Sequence, residues 1–223
     1  MQDLREKEIA FIGRITAGVT HEIKNVLASI NELAGLMEDL LLMSKDDSFP
    51  HKEKFQKVLP RITEQVKRGN NITGQLNKFS HLTDETTSLV DLNEIAEHII
   101  FLTSRFARNK NITLINHPAG VNISFTINPF HLELCLYNCI KYFLEKIDSG
   151  GKINIRPNLN NNSALIEVFY EGDSENKNFL FSDISTSEEL LNIKEIITLL
   201  NGSVEFGKPD LGIKLVINNM LES

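Results

Sequence analysis

The sequence predicts an α+β protein, an N-terminal antiparallel helical hairpin followed by an α/β sandwich of mixed order. Three observations carry that prediction. Two long heptad-like apolar stripes, separated by one short polar turn, occupy the N-terminal part of the chain. A polar stretch, Thr83 to Ser88, then ends the stripes. Beyond it, short β-rich runs and single helices follow one another without a repeat and without strict alternation.

The first stripe is Ile12, Ile15, Val19, Val26, Ile30, Leu33, Met37 and Leu40, which predicts a helix from about Leu4 to Met43. Ser44 to Pro50 is a polar turn whose closing proline stops the helix. The second stripe, Phe55, Val58, Leu59, Ile62, Val66, Ile72, Leu76 and Phe79, predicts a helix from about Lys52 to Leu82, with Pro60 bending its first turns. A short loop makes the two helices antiparallel. One hairpin buries both stripes poorly, whereas two hairpins make a four-helix bundle, so a homodimer is expected. The linker then separates a domain 1–83 from a domain 84–223.

In the second domain, Asp91 to Arg108 is helical, with Leu92, Ile95, Ile99 and Leu102 on one face. Ile112 to Ile115 and Ile123 to Ile127 are strands, and Pro129 opens a helix over Phe130 to Ile147 that Ser149-Gly150-Gly151 ends. Strands at Lys152–Arg156 and Ser163–Tyr170 flank the turn residues Asn158 to Asn162, and Gly172 to Ser182 is a polar loop. Ser187 to Leu200 is helical and is capped by Asn201-Gly202. Val204–Gly207 and Ile213–Asn218 close a hairpin around Lys208-Pro209-Asp210.

The bulk properties narrow the function. With 41% hydrophobic and 24% charged residues in 223, the chain has the composition of an ordinary globular protein. A net charge of -7 argues against nucleic acid or an anionic membrane as partner. No apolar run approaches the roughly 20 residues of a membrane span. The charged N-terminus lacks the apolar core of a signal peptide, so a cytoplasmic location is expected. Cys135 and Cys139 lie on an apolar segment and form neither a disulfide framework nor a metal knuckle.

His21 lies off the first stripe, which makes it a titratable nucleophile displayed on a bundle helix. Around it, "ITAGVTHEIKNVLASI" resembles the phosphoacceptor box of the bacterial sensor histidine kinases, in which a histidine followed by an acid sits on the first hairpin helix. The family usually has proline where this chain has Val26. "VDLNEIAEHI" is similar to the start of the family's ATP-binding domain, "INPFHLELCLYNCIKYFLEKI" to its next long helix, and "NIKEIITLLNGSVEF" to its last helix and the glycine turn. The resemblance covers nearly all of the chain. It implies a dimeric phosphoacceptor hairpin followed by a sandwich of the histidine-kinase ATPase type.

The departures point away from ATP. On the long helix the family's Mg²⁺-holding asparagine, four residues after the one matched by Asn138, is Tyr142 here, followed by Phe143. An aromatic ring supplies no hard oxygen ligand. The adenine-binding Asp-x-Gly-x-Gly becomes Tyr170-Glu171-Gly172-Asp173-Ser174, and the Gly-x-Gly-Leu loop falls at Ser187-Glu188-Glu189-Leu190. Two acids would then stand where a triphosphate should lie. The ATPase-type domain is expected to be degenerate, with no cofactor and no metal of its own.

The candidate site is therefore His21, Glu22 and Asn25. His21 is the phosphoacceptor that the resemblance implies. Glu22 would hold the opposite ring nitrogen. Asn25, one turn on, would orient an aspartyl-phosphate or a water. Read alone, the three are surface polar residues, and Lys24 is best left as one. Without ATP the phosphoryl group must come from elsewhere. The expected function is a histidine phosphotransferase that relays phosphate between response-regulator receiver domains, with Mg²⁺ brought by the receiver. An autokinase, a phosphatase and a non-catalytic pseudokinase that binds a regulator stay open. The chain starts about a helix-length before His21, which suits a two-domain phosphotransferase and equally an excised piece of a longer kinase.

Overall fold

The structure is a computed structural model and describes residues 4–43, 52–160, 163–172, 186–207 and 212–218. The turn Ser44–Pro50, the positions Asp173 and Ser174, and the turn Lys208-Pro209-Asp210 lie outside these residues. The chain divides into two compact units, Ile12–Ser80 and Met1–Phe11 with His81–Ser223.

The first unit is built from α1 (Leu4–Leu42) and α2 (Lys52–Ser80). Ile15, Val19, Val26, Leu33 and Leu40 of the α1 stripe are buried, whereas Ile12 is exposed. On α2 Phe55, Val58, Ile62, Gln65, Gly69, Ile72, Leu76 and Phe79 are among the buried and half-buried positions, while Leu59 and Val66 face outward. The alternating steps of three and four run unbroken through Gln65 and Gly69. An apolar-only reading skips those two and takes their neighbours instead. Gly69 marks a close helix approach, because a Cβ there would lie 3.2 Å from Val26 Cγ1. Pro60 sits inside α2, and a 3₁₀ turn, His81–Thr83, follows the helix.

The second unit contains β1 (Ser88–Asp91), α3 (Leu92–Arg108), β2 (Thr113–Asn116), β3 (Ser124–Ile127) and α4 (Pro129–Lys146), followed by β4 (Lys152–Asn160), β5 (Ser163–Glu171), α5 (Glu188–Leu199), β6 (Gly202–Phe206) and β7 (Gly212–Asn218). The five-stranded sheet runs β2-β4-β5-β7-β6, with β2 and β4 parallel and the other pairs antiparallel. β1 and β3 form a separate two-stranded ladder. The linker reading misses β1, because a four-residue strand with Leu89 72% exposed has no burial-driven alternation to announce it.

Side-chain oxygens start the helices. Asp91 accepts from Asn93 N–H, Asn128 from His131 N–H and Ser187 from Leu190 N–H. Ile153, Ile155, Ile166, Val168, Ile213, Leu215 and Ile217 are buried on alternate strand positions, and α4 packs on both α3 and α5. The N-terminal turns of α1 belong to this unit. Phe11 is 1% exposed and its ring lies 5.7 Å from Phe130 and 4.9 Å from Tyr137. Glu8 pairs with His131 at 2.8 Å, and Lys7 pairs with Glu195. Between α4 and β4, Gly150 and Gly151 both have positive φ. A Cβ on Gly151 would meet the Tyr170 ring and hydroxyl at 2.6 Å, so only glycine fits there.

Candidate functional site

His21 stands on the exposed side of α1 with its neighbours set by helix geometry. Asn25, four residues on, lies directly above it, and its side-chain amide is 3.2 Å from His21 Nδ1. Glu22, one residue on, is turned about 100° around the helix axis and faces elsewhere. Its carboxylate accepts from Arg68 Nη2 of α2 at 2.9 Å. The structure thus brings Asn25 rather than Glu22 to the ring nitrogen. It also adds Arg68, which the sequence reading did not single out. The two residues are 46 apart in sequence, and Lys67-Arg68 on a polar helix reads as a solvated face.

Cation and carboxylate share the load unequally, since the Arg68 side chain is 46% exposed and that of Glu22 only 17%. An ion pair this exposed contributes about 0.2–1 kcal/mol to stability. Its larger consequence is local, because it offsets the one carboxylate adjacent to the histidine.

The positions that match a nucleotide site form a different environment. Tyr142 and Phe143 are both 0% exposed, and their rings meet edge-on at 5.7 Å. Asn138 is buried and donates from its amide nitrogen to Leu134 O at 2.7 Å, so that donor is spent on its own helix. Tyr170 is buried as well. At the start of α5, Glu189 accepts from Lys141 Nζ of α4 at 2.8 Å and from the Ser187 hydroxyl at 3.2 Å. The charge of Glu189 is therefore partly matched by Lys141, which corrects the expectation of two unopposed acids. Glu188 remains exposed.

The electrostatics of this cluster follow from the contacts. Burial works against the Lys141 ammonium, but the hydrogen bond and charge of Glu189 outweigh it and hold Lys141 above its ordinary value. Burial works against the Glu189 carboxylate too, yet the Lys141 hydrogen bond and a backbone N–H hold it below the carboxylate range. Burial and the nearby Glu189 charge push Glu145 up. Burial likewise pushes the Cys139 thiol up, beside Cys135. Mg²⁺–ATP does not fit these residues. The Mg²⁺-ligand position holds a buried ring, and the phosphate-loop position holds an exposed Glu188 and a Glu189 already bonded to Lys141 and Ser187.

The other described histidines have structural partners. His98 lies 2.5 Å from Glu133 in the core, His131 pairs with Glu8, and His81 pairs with Asp84. His117 Nε2 lies 2.8 Å from Asn154 Oδ1. Among the described residues no cluster of histidine, cysteine, aspartate and glutamate is arranged to hold a metal ion.

Among the described residues, a helical hairpin carrying an outward histidine is followed by a five-stranded mixed sheet with three helices, the layout that the resemblance to histidine kinases implies. The comparisons agree. No protein-family model matches the chain. It is 25% identical over 97% of its length to the C4-dicarboxylate transport sensor protein DctB of Rhizobium meliloti. It is 29% identical over 68% of its length to the sensor histidine kinase ZraS of Salmonella typhimurium, and 23% identical over 89% to sporulation kinase D of Bacillus subtilis. The chain spans 36%, 31% and 39% of those proteins. Among solved structures, the catalytic domain of histidine kinase ThkA matches with a TM-score of 0.50 at 19% identity, covering 60% of this chain and 97% of that one. The chain is similar to sensor histidine kinases and carries the fold of a histidine-kinase catalytic domain. Among the described residues no helix is long and apolar enough to cross a membrane.

Proposed function

We propose that this chain is a histidine-kinase-type core that works as a phosphotransferase, with His21 accepting a phosphoryl group from the aspartyl-phosphate of a receiver domain and passing it to a second receiver. The observation that carries the reading is Tyr142. The position where a nucleotide site needs an oxygen ligand is filled by a fully buried ring, while His21 stays displayed with a partner on its ring.

His21 attacks as the neutral tautomer with its proton on Nδ1 and its free lone pair on Nε2; the Asn25 side chain, whose amide nitrogen lies 3.2 Å from Nδ1, presents its oxygen to that proton when the carboxamide turns over. Nε2 attacks phosphorus. The N–P bond forms as the P–O bond to the receiver aspartate breaks, the electron pair leaves with the carboxylate, and the Nδ1 proton is shed to solvent. The receiver supplies Mg²⁺. This chain contributes position, with Asn25 orienting the ring and Glu22 held toward α2 by Arg68. Residues 1–83 serve as the dimerising phosphoacceptor hairpin and 84–223 as the docking domain. Leu27, Leu36, Leu41, Leu59 and Val66 leave apolar surface on the hairpin helices, which supports pairing with a second copy into a four-helix bundle.

A second reading, autokinase activity, is favoured by the relatives, all three of which are named as kinases or sensor proteins. One experiment separates the two. The protein is mixed with radiolabelled ATP alone and, separately, with labelled phospho-receivers, each beside His21→Ala. Label on His21 from a receiver and not from ATP is expected. Label from ATP alone establishes the kinase reading. No label from either source overturns both and leaves a regulator-binding module.

A further inference from the structure

We propose that Arg68 is a positioning residue for the chemistry at His21, acting through Glu22. The proposal rests on the reading of His21 as the phosphoacceptor. Arg68 belongs to the other helix of the hairpin and reaches Glu22 because the helices come close at this level. Gly69, its neighbour, leaves the space that a Cβ would occupy 3.2 Å from Val26 Cγ1. Arg68 Nη2 then donates to Glu22 Oε2 at 2.9 Å.

The consequence is electrostatic and geometric. A phosphoryl donor approaching His21 carries about two negative charges. A bare carboxylate one residue from the nucleophile would repel it and would also be free to swing toward the imidazole. Held by Arg68, Glu22 is neutralised as a pair and kept on the α2 side of α1, while Asn25 keeps Nδ1. Arg68 therefore sets two conditions at once: how much negative charge the donor meets, and which side chain sits on the ring.

The test uses the full chain and phosphoramidate, a small phosphoryl donor that needs neither ATP nor a receiver. Arg68→Ala should slow labelling of His21 about tenfold. Arg68→Lys should restore most of the rate, since a lysine still carries the charge. In a Glu22→Gln background, Arg68→Ala should change the rate less than about twofold, because no carboxylate is left to hold. Equal losses in both backgrounds, or no loss in the first, overturn the proposal. The NMR spectrum of the His21 ring at one fixed pH gives an arm independent of turnover. Arg68→Ala should move the His21 ring resonances by removing the guanidinium from Glu22 Oε2, and the same substitution in the Glu22→Gln background should move them less. Resonances that stay in place, or that move equally in both backgrounds, overturn the coupling. Should the unmodified chain take no label at His21, the phosphoacceptor reading falls, and the spectra still decide whether Arg68 controls Glu22.

Discussion

Replacing Tyr142 with asparagine puts back the side chain that a Mg²⁺-binding helix of this fold would carry. Whether that helps or harms depends on where the side chain points. Tyr142 is fully buried against Phe143. Truncating a buried aromatic residue costs about 3–5 kcal/mol. Leaving a carboxamide without partners in the vacated space costs about 1–3 kcal/mol more. The expected loss of roughly 4–8 kcal/mol is comparable to the whole stability of a domain, about 5–15 kcal/mol. A tyrosine lining an open cleft would instead change stability by about 0.5 kcal/mol or less.

Urea unfolding reads the difference, and composition makes the reading specific. The chain has no tryptophan and three tyrosines. Tyr137, Tyr142 and Tyr170 are all buried in the second unit. Tyrosine fluorescence therefore reports the sandwich alone, and two tyrosines remain in the variant. With a slope of about 1–3 kcal/mol per molar urea, the midpoint should fall by more than about 1 M, or the variant should be unfolded without denaturant. A loss under about 1 kcal/mol, together with a midpoint raised by Mg²⁺–ATP, would refute the reasoning. Ligand at a hundredfold excess over its dissociation constant adds about 2.7 kcal/mol, well within detection.

Other residues make comparable demands. Phe11→Ala should destabilise the sandwich by about 3–5 kcal/mol, visible in Tyr137 emission because the two rings touch; a tyrosine transition unmoved by the change would detach the first turns of α1 from this unit. Glu133→Ala should cost about 3–5 kcal/mol by removing the carboxylate from buried His98, while replacing both residues with leucine should be neutral or stabilising; thermal melts of the two variants beside the parent check the ordering. Lys141→Met should cost about 0.2–1 kcal/mol at neutral pH for so partly exposed a pair. Glu189 titrates low, so its contribution is full above its unfolded value and lost as pH falls through the folded one; Lys141 titrates high, so its contribution is full below its unfolded value and lost as pH rises through the folded one. The gap between Lys141→Met and the parent in melting temperature should therefore close toward pH 3, and a gap that widens there would reverse the assignment. Glu145 has the opposite sign, its folded value being raised, so Glu145→Gln should stabilise at pH 7.

Much of this architecture was legible because burial has a period. Ile15, Val19, Val26 and Leu33 repeat at helical spacing and are buried, and Ser163 to Tyr170 alternates strictly between half-buried and buried positions. What escaped had no period to show. Gln65 and Gly69 occupy seam positions on α2 without being apolar, and β1 pairs only with another short strand. At the site, His21 and Asn25 were legible because the helix itself sets a spacing of four. The Glu22–Arg68 and Lys141–Glu189 pairs were not. Each joins two helices, and a charge on a polar face carries no mark of the partner that tertiary structure will bring.

The same distinction explains why the nucleotide positions and the phosphoacceptor part company. Along α4, every residue from Leu132 to Ile140 is buried, and so are Tyr142 and Phe143. At Tyr142 the helix therefore presents a dry face, which displays no metal ligand to solvent whatever residue stands there. Of the α4 residues that do reach solvent, Lys141 pairs with Glu145 within the helix and with Glu189 of α5. α1 has the contrary design at His21, with Val19 and Val26 buried while His21 and Asn25 remain exposed. A phosphoryl donor reaching this chain from solvent therefore finds an accessible nucleophile on the hairpin, and on α4 a packed core. That asymmetry is what supports the proposal that a partner brings the phosphoryl group and the metal to His21.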